Sequence, residues 1–127
     1  MHLILVRHAK AEPGKPDAMR RLTPAGMDAA AMLGEVLAER HPDAVVSSPL
    51  RRARETAEAI AQAAGLEAAV DERLAPGATV ESVRAAVAGR GETVIAVGHQ
   101  PDCSTVVLAL TGRDFSFPTA GFAELDL

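Results

Sequence analysis

The stretch HLILVRHAKAEPG, residues 2–14, decides how the chain is read. Four apolar residues, Leu3 to Val6, make a run of the length of a buried strand, and a Pro-Gly loop follows. The run ends on Arg7 and His8, so a cation and an imidazole stand together at a strand tip. The same ending recurs in TVIAVGH, residues 93–99, where an apolar run leads into His99. Between the two, DAVVSS (43–48) reads as another strand, and SSPLRRARETA (47–57) opens a helix bearing Arg51, Arg52 and Arg54.

Working outward, strand-like and helix-like periodicities alternate along the whole chain. Thr23 followed by Pro24 marks a helix start, with Ala30, Leu33 and Leu37 on one face, a span to about Arg40, and Pro42 as the stop. Ser48-Pro49 reads as the cap of the next helix, whose stripe is Ala53, Ala57, Ile60 and Ala64, and Gly65 ends it. EAAVDERL (67–74) is a weaker third strand, TVESVRAAVAG (79–89) and DCSTVVLALTG (102–112) are helices, and GFAELDL (121–127) is a last strand. This alternation predicts a single domain over residues 1–127, a three-layer α/β sandwich around a mostly parallel central sheet. The loop from Ala9 to Leu22 is the main irregularity, and loops of that length are often functional.

Composition narrows the classes. Of 127 residues, 48% are hydrophobic, 24% charged and only 2% aromatic, so the core is built from Ala, Val, Leu and Ile. A net charge of −4 argues against nucleic acid or an acidic membrane as a general partner, while permitting a local basic site. The single cysteine, Cys103, excludes an intrachain disulfide framework and reads as a small core residue. It is not a phosphatase-loop nucleophile, since Ala109 stands where that motif needs arginine. No secretion leader or membrane span is visible, and a cytoplasmic location is the expectation.

Ligands of open α/β sheets sit at the carboxyl ends of the strands. That rule places His8, His99 and the arginines along one sheet edge, beside a helix N-terminus suited to an anion. Each feature alone has a plainer reading. A histidine at a strand end is more often structural, and three arginines on a helix make a solvated face. His2 and His41 read as surface residues. A metal site would draw on the two histidines with Glu12 and Asp102.

Taken together, LVRHAKA, SSPLRRARETA and VIAVGHQP, in order and each after a strand, resemble the histidine phosphatase superfamily, also called phosphoglycerate mutase-like. Within it the chain is similar to the SixA-type phosphohistidine phosphatases, and RRLTPAG (20–26) and FPTAGFAELDL (117–127) extend the likeness over nearly the whole chain. The resemblance implies His8 as a covalent nucleophile, Arg7 and Arg52 as phosphate ligands, His99 as the second catalytic histidine and Arg20 as a further substrate contact. It implies no metal or other cofactor. Two positions depart from the superfamily pattern. Ala9 replaces the usual glycine, and the proton-donor carboxylate falls near Pro76, leaving Asp71 or Glu72 as substitutes.

The residue types suit that chemistry. A neutral imidazole attacks an anionic phosphate without charge repulsion, and arginine forks hold phosphoryl oxygens. An alkoxide leaving group needs a donated proton, whereas phosphohistidine can already carry one on its other ring nitrogen. The implied substrate is therefore a phosphohistidine-bearing protein. A small-molecule phosphomonoesterase and a non-catalytic phosphate- or phosphoprotein-binding module are the alternatives.

Overall fold

The computed structural model describes residues 1–127. Strands β1 (His2–Arg7), β2 (Ala44–Ser47), β3 (Ala68–Val70), β4 (Thr93–Gly98) and β5 (Phe122–Asp126) form one sheet in the order β3-β2-β4-β1-β5. The first four are parallel, and β5 runs antiparallel along β1. Helices α1 (Pro24–Ala38), α2 (Arg51–Ala64), α3 (Val80–Val87) and α4 (Asp102–Thr111) complete the expected three layers. No helix is long and apolar enough to cross a membrane.

Successive strand residues point to opposite faces, and here both faces are covered, which is why the strands read as continuous apolar runs. Ile4, Val6, Val45, Ile95 and Val97 pack on Leu33 and Leu37 of α1 and Ala53, Ala57 and Ile60 of α2. Leu3, Leu5, Val46, Val94 and Ala96 pack on Val83 and Val87 of α3 and Val106 and Val107 of α4. Small residues let α1 and α2 close up: a Cβ at Gly34 would lie 2.9 Å from the Ala59 carbonyl oxygen.

Three boundaries differ from the sequence reading. Helix α1 stops at Ala38, two residues before Arg40. Ser48 does not cap α2: the cap position is Leu50, which makes no side-chain cap bond. The Ser48 hydroxyl instead accepts from the Leu50 N–H at 3.2 Å and meets His99 at 2.7 Å. The third strand is only three residues long, because Asp71 turns the chain by accepting from the Arg73 N–H at 2.9 Å and capping a 3₁₀ turn at Glu72–Leu74. Such a local side-chain bond competes directly with strand pairing. Within the stripe of α2, Ala64 is only half-buried, and the buried face also takes in Arg52 and Thr56.

The loop after His8 is tied down. Ala11 bridges Leu22, Asp17–Met19 forms a 3₁₀ turn, and the Thr23 N–H donates to the Lys10 carbonyl at 2.9 Å. Thr23 caps α1 as expected, accepting from the Gly26 N–H at 2.9 Å, with Pro24 at the first helical position. Gly26 packs against the backbone of Lys10, so a Cβ there would run into the Lys10 carbonyl. Gly26→Ala should therefore lower stability by about 1–3 kcal/mol through overpacking. Helix propensity alone predicts the opposite sign. The midpoint of urea unfolding measures which effect wins.

Candidate active site

The sheet register brings the two histidines together. Arg7 is paired with Gly98, and the His8 N–H donates to the Gly98 carbonyl at 3.1 Å, so His8 and His99 leave adjacent strand ends. Their ring centroids are 5.3 Å apart with planes tilted by 55°. Ser48 follows β2 and donates its N–H to Val97 of β4 at 3.0 Å. Three parallel strands thus end on one spot, as the sheet-edge rule predicts.

Hydrogen bonds fix the proton positions. His8 Nδ1 lies 2.7 Å from the Ala9 carbonyl oxygen. A carbonyl can only accept, so Nδ1 carries the hydrogen and Nε2 keeps its lone pair. Ala9 is held in turn by Thr56, whose hydroxyl accepts from the Ala9 N–H at 3.0 Å and donates to the Arg52 carbonyl at 2.8 Å. One buried hydroxyl therefore joins the loop after His8 to the helix of the arginines. At His99, Nε2 lies 2.7 Å from Ser48 Oγ. That hydroxyl accepts from Leu50 and has no other acceptor for its own hydrogen, so its donation is assigned to Nε2, which leaves Nδ1–H as the free donor.

Two buried side-chain polar atoms in the chain have no protein partner, Arg7 Nε and His99 Nδ1. Such orphans are costly, and they concentrate where a ligand completes the set. Arg7 is otherwise anchored by donating from Nη1 to the Phe117 carbonyl at 2.9 Å.

The arginines of α2 separate by position. Arg51 faces Glu55 at 3.4 Å, and Arg54 donates to the Pro49 carbonyl at 2.9 Å. Arg52 is the buried one, at 7% exposure, and turns inward. It donates from Nη1 to the Asp17 carbonyl at 3.0 Å and from Nη2 to the Asp17 carboxylate at 3.1 Å. Arg20 reaches the other oxygen of the same carboxylate at 3.0 Å and the Glu12 carbonyl at 2.7 Å. Asp17 therefore bridges two of the expected phosphate contacts. Sequence reasoning missed it and missed the part played by Ser48. The available signals were the i, i+3 spacing of Asp17 and Arg20 within a loop already suspected of function, and Ser48 at a strand end.

Electrostatics set the charge states. Burial, with the neighbouring charges of Arg52, Arg7 and Arg20, lowers the His8 pKa below the usual 6.5 despite the Ala9 bond. Burial, then His8 and Arg52, brings His99 down to about 4. Both rings are neutral at pH 7. Hydrogen bonds from Arg20 and Arg52 hold the Asp17 carboxyl below its ordinary range. Arg73, with help from Arg90, does the same to Asp71 more strongly. Asp71 is thus an ion-pair partner fixed as a carboxylate and has no proton to donate near neutral pH. Glu72 is exposed on the 3₁₀ turn. Asp102 accepts from the N–H groups of Gly77 and Ala78 at 2.8 and 3.1 Å, pinning the loop that carries Pro76. Cys103 is buried and pushed up to about 12 by that burial, the state of an inert core thiol.

A family model described as the histidine phosphatase superfamily (branch 1) matches residues 3–76. The uncharacterized protein ML1117 of Mycobacterium leprae (strain TN) is 34% identical over 145 aligned positions, covering 96% of this chain and 87% of that protein. A protein assigned as the phosphohistidine phosphatase SixA of Agrobacterium tumefaciens is 31% identical, with a TM-score of 0.83 over 98% of this chain and 90% of that one. The protein histidine phosphatase SixA complexed with tungstate is 26% identical, with a TM-score of 0.88 over 100% of this chain and 88% of that one.

Two outcomes follow from the charge states. Between pH 6.5 and about 4 the unfolded chain binds a proton at His99 that the folded chain refuses. Stability should therefore fall as pH drops through that window. Asp17 and Asp71 add to the slope only at its acid end, where the unfolded chain protonates them near their ordinary 3.8, and they do so alike in wild type and variant. Melting temperatures of wild type and His99→Gln across pH 4–7 should show a flatter slope in the variant. Separately, Asp17→Asn keeps an oxygen for the arginines but removes the competing charge. Inorganic phosphate should then bind about three- to tenfold more tightly, the scale of one nearby unit charge in partly aqueous surroundings. Inhibition constants measure this, and weaker binding would mean that Asp17 serves mainly to aim Arg52.

Proposed function

The chain belongs to the histidine phosphatase superfamily, and we propose that within it the protein dephosphorylates phosphohistidine on another protein through a covalent intermediate on His8. The observation that carries the substrate choice is Asp17. The one carboxylate bonded to Arg52 and Arg20 is held anionic by both, so it cannot hand a proton to a leaving group. Asp71 is held anionic too. An alkoxide would have to leave without help, at a cost in rate. A phosphohistidine protonated on its free ring nitrogen leaves as neutral imidazole and asks for no acid.

In the first step the His8 Nε2 lone pair attacks phosphorus while the P–N bond of the substrate breaks, its electron pair returning to the substrate ring. Arg7 and Arg52 hold the phosphoryl oxygens, and the unpartnered Nδ1–H of His99 and Nε–H of Arg7 take up charge that develops on them. Arg20 is a peripheral contact reached past Asp17. Throughout, Nδ1–H of His8 stays on the Ala9 carbonyl, so phosphorylated His8 is itself a protonated phosphoimidazole. The transfer exchanges one P–N bond for another of the same kind, which keeps its free-energy change small. In the second step water attacks phosphorus, the bond to Nε2 breaks, and both hydrogens of the water remain on the dihydrogen phosphate released. Splitting the reaction this way replaces one difficult step by two easier ones.

The same geometry predicts a steep dependence on leaving group. Phosphohistidine and activated aryl phosphates should react fast in single turnover, and alkyl phosphates more slowly by about 10²- to 10⁴-fold, the usual worth of a positioned acid. Quenching in alkaline denaturant, where the P–N bond of a phosphohistidine survives, should trap a phosphoenzyme in the wild type and none in His8→Ala. Equal rates across leaving groups would overturn the phosphohistidine reading. If Glu72→Gln then restored the steepness, Glu72 would be the donor and a small-molecule ester the substrate.

A further inference from the structure

Charge is unevenly distributed along this chain. Residues 7–21 and 51–54 contain eight of the thirteen Lys and Arg but two of the seventeen Asp and Glu. Those segments are net +6 and the rest of the chain is net −10, which together give the overall −4. The fold puts the two segments side by side, since Arg52 of one grips Asp17 of the other.

Beyond that grip lies an open groove of about 490 Å³ lined by Lys15, Arg20, Arg21 and Arg51, with Glu12 as its one acid and Met19 as its one large apolar side chain. Arg20 belongs to both the groove and the site, because its guanidinium bonds the carboxylate that Arg52 holds. The groove is thus continuous with the phosphate clamp. Lys15 and Arg21 are exposed, and neither makes a side-chain hydrogen bond or ion pair within the protein. Repulsion among unpaired cations raises the free energy of the folded chain, and an anionic partner relieves it.

Chemistry narrows the occupant. The groove has no aromatic ring on which a base could stack. A long polyanion or an anionic bilayer would also meet the −10 of the remaining surface. A compact acidic patch touches the positive face alone. We propose that this groove binds carboxylate side chains flanking the phosphorylated histidine of a partner protein, steering that histidine onto His8. This rests on the phosphohistidine reading above. Exposed charges of this kind act mainly on encounter and therefore on kcat/KM at low salt.

The test uses the whole protein and synthetic peptides with one phosphohistidine flanked by Glu or by Gln, beside free phosphohistidine. Glu-flanked peptide should be preferred over Gln-flanked by roughly tenfold in kcat/KM at low salt, with the preference fading as salt screens it. The double variant Lys15→Ala/Arg21→Ala should lose the preference and keep its turnover of free phosphohistidine. Equal rates on the two peptides, or a preference that survives in the double variant, would overturn the groove. The groove can also be read without phosphohistidine turnover. An unphosphorylated Glu-rich peptide should compete with hydrolysis of an activated aryl phosphate in the wild type, and not in the double variant. Failure of free phosphohistidine to react, with that competition intact, would reject the substrate assignment and leave the groove standing. A single-stranded oligonucleotide competing better than the Glu peptide would reject the acidic-protein occupant.

Discussion

The parallel pairing of β1 with β4 is the constraint on which the site depends. It runs from His2 opposite Thr93 to Arg7 opposite Gly98, and its apolar residues are sealed on both faces by helices. Slipping that register by one residue would turn Ile4 and Val6 toward α3 and α4, and Leu3 and Leu5 toward α1 and α2. Two packed cores thus hold a single register. The consequence is at the strand ends, where His8 and His99 have no freedom except to stand beside each other. The juxtaposition of the two histidines is a by-product of hydrophobic burial, set far from their polar atoms.

The second constraint is charge. Burial lowers the proton affinity of His8, and Arg52, Arg7 and Arg20 add to it, so the ring stays neutral. Three guanidinium groups this close would repel one another without a counter-charge. Asp17 supplies it by accepting from Arg52 and Arg20 at once. Because Asp17 lies on an exposed 3₁₀ turn, its carboxylate can yield to an incoming oxyanion at little cost in buried contacts. A carboxylate locked in the core could not be exchanged so easily.

Much of this was legible in the sequence, for definite reasons. Strand β1 and strand β4 are uninterrupted apolar runs that end on polar residues, and both the sheet and its functional edge follow from that pattern. Pro24 and Gly65 punctuate α1 and α2 because their backbone preferences leave few alternatives. The resemblance singled out Arg52 from Arg51 and Arg54, and in the structure the three have different contacts because helix positions one and two apart face different ways. The failures share a cause. Ser48 read as a helix cap because its residue type suits one, yet a tertiary partner, His99, claimed its hydroxyl. Asp71 read as a strand residue and candidate acid, but local bonds to Arg73 and a distant Arg90 made it a turn and an ion pair. Asp17 offered no periodicity at all. Polar side chains with several possible partners are settled only by the fold, whereas apolar periodicity and proline are read locally.

Thr56 shows how closely the two kinds of constraint are joined. It lies on the buried face of α2, one position before Ala57, and is itself fully buried among apolar neighbours. A buried hydroxyl must be satisfied, and its two bonds are to the Ala9 N–H and the Arg52 carbonyl. Ala9 is the residue whose carbonyl fixes the His8 proton on Nδ1. The chain of causes therefore runs from helix packing through one hydroxyl to the tautomer of His8. Replacing Thr56 by valine would preserve the volume of the core while leaving the Ala9 N–H buried and unpaired. The apolar packing that positions α2 would survive, but the peptide that dictates which nitrogen of His8 keeps its lone pair would lose its anchor.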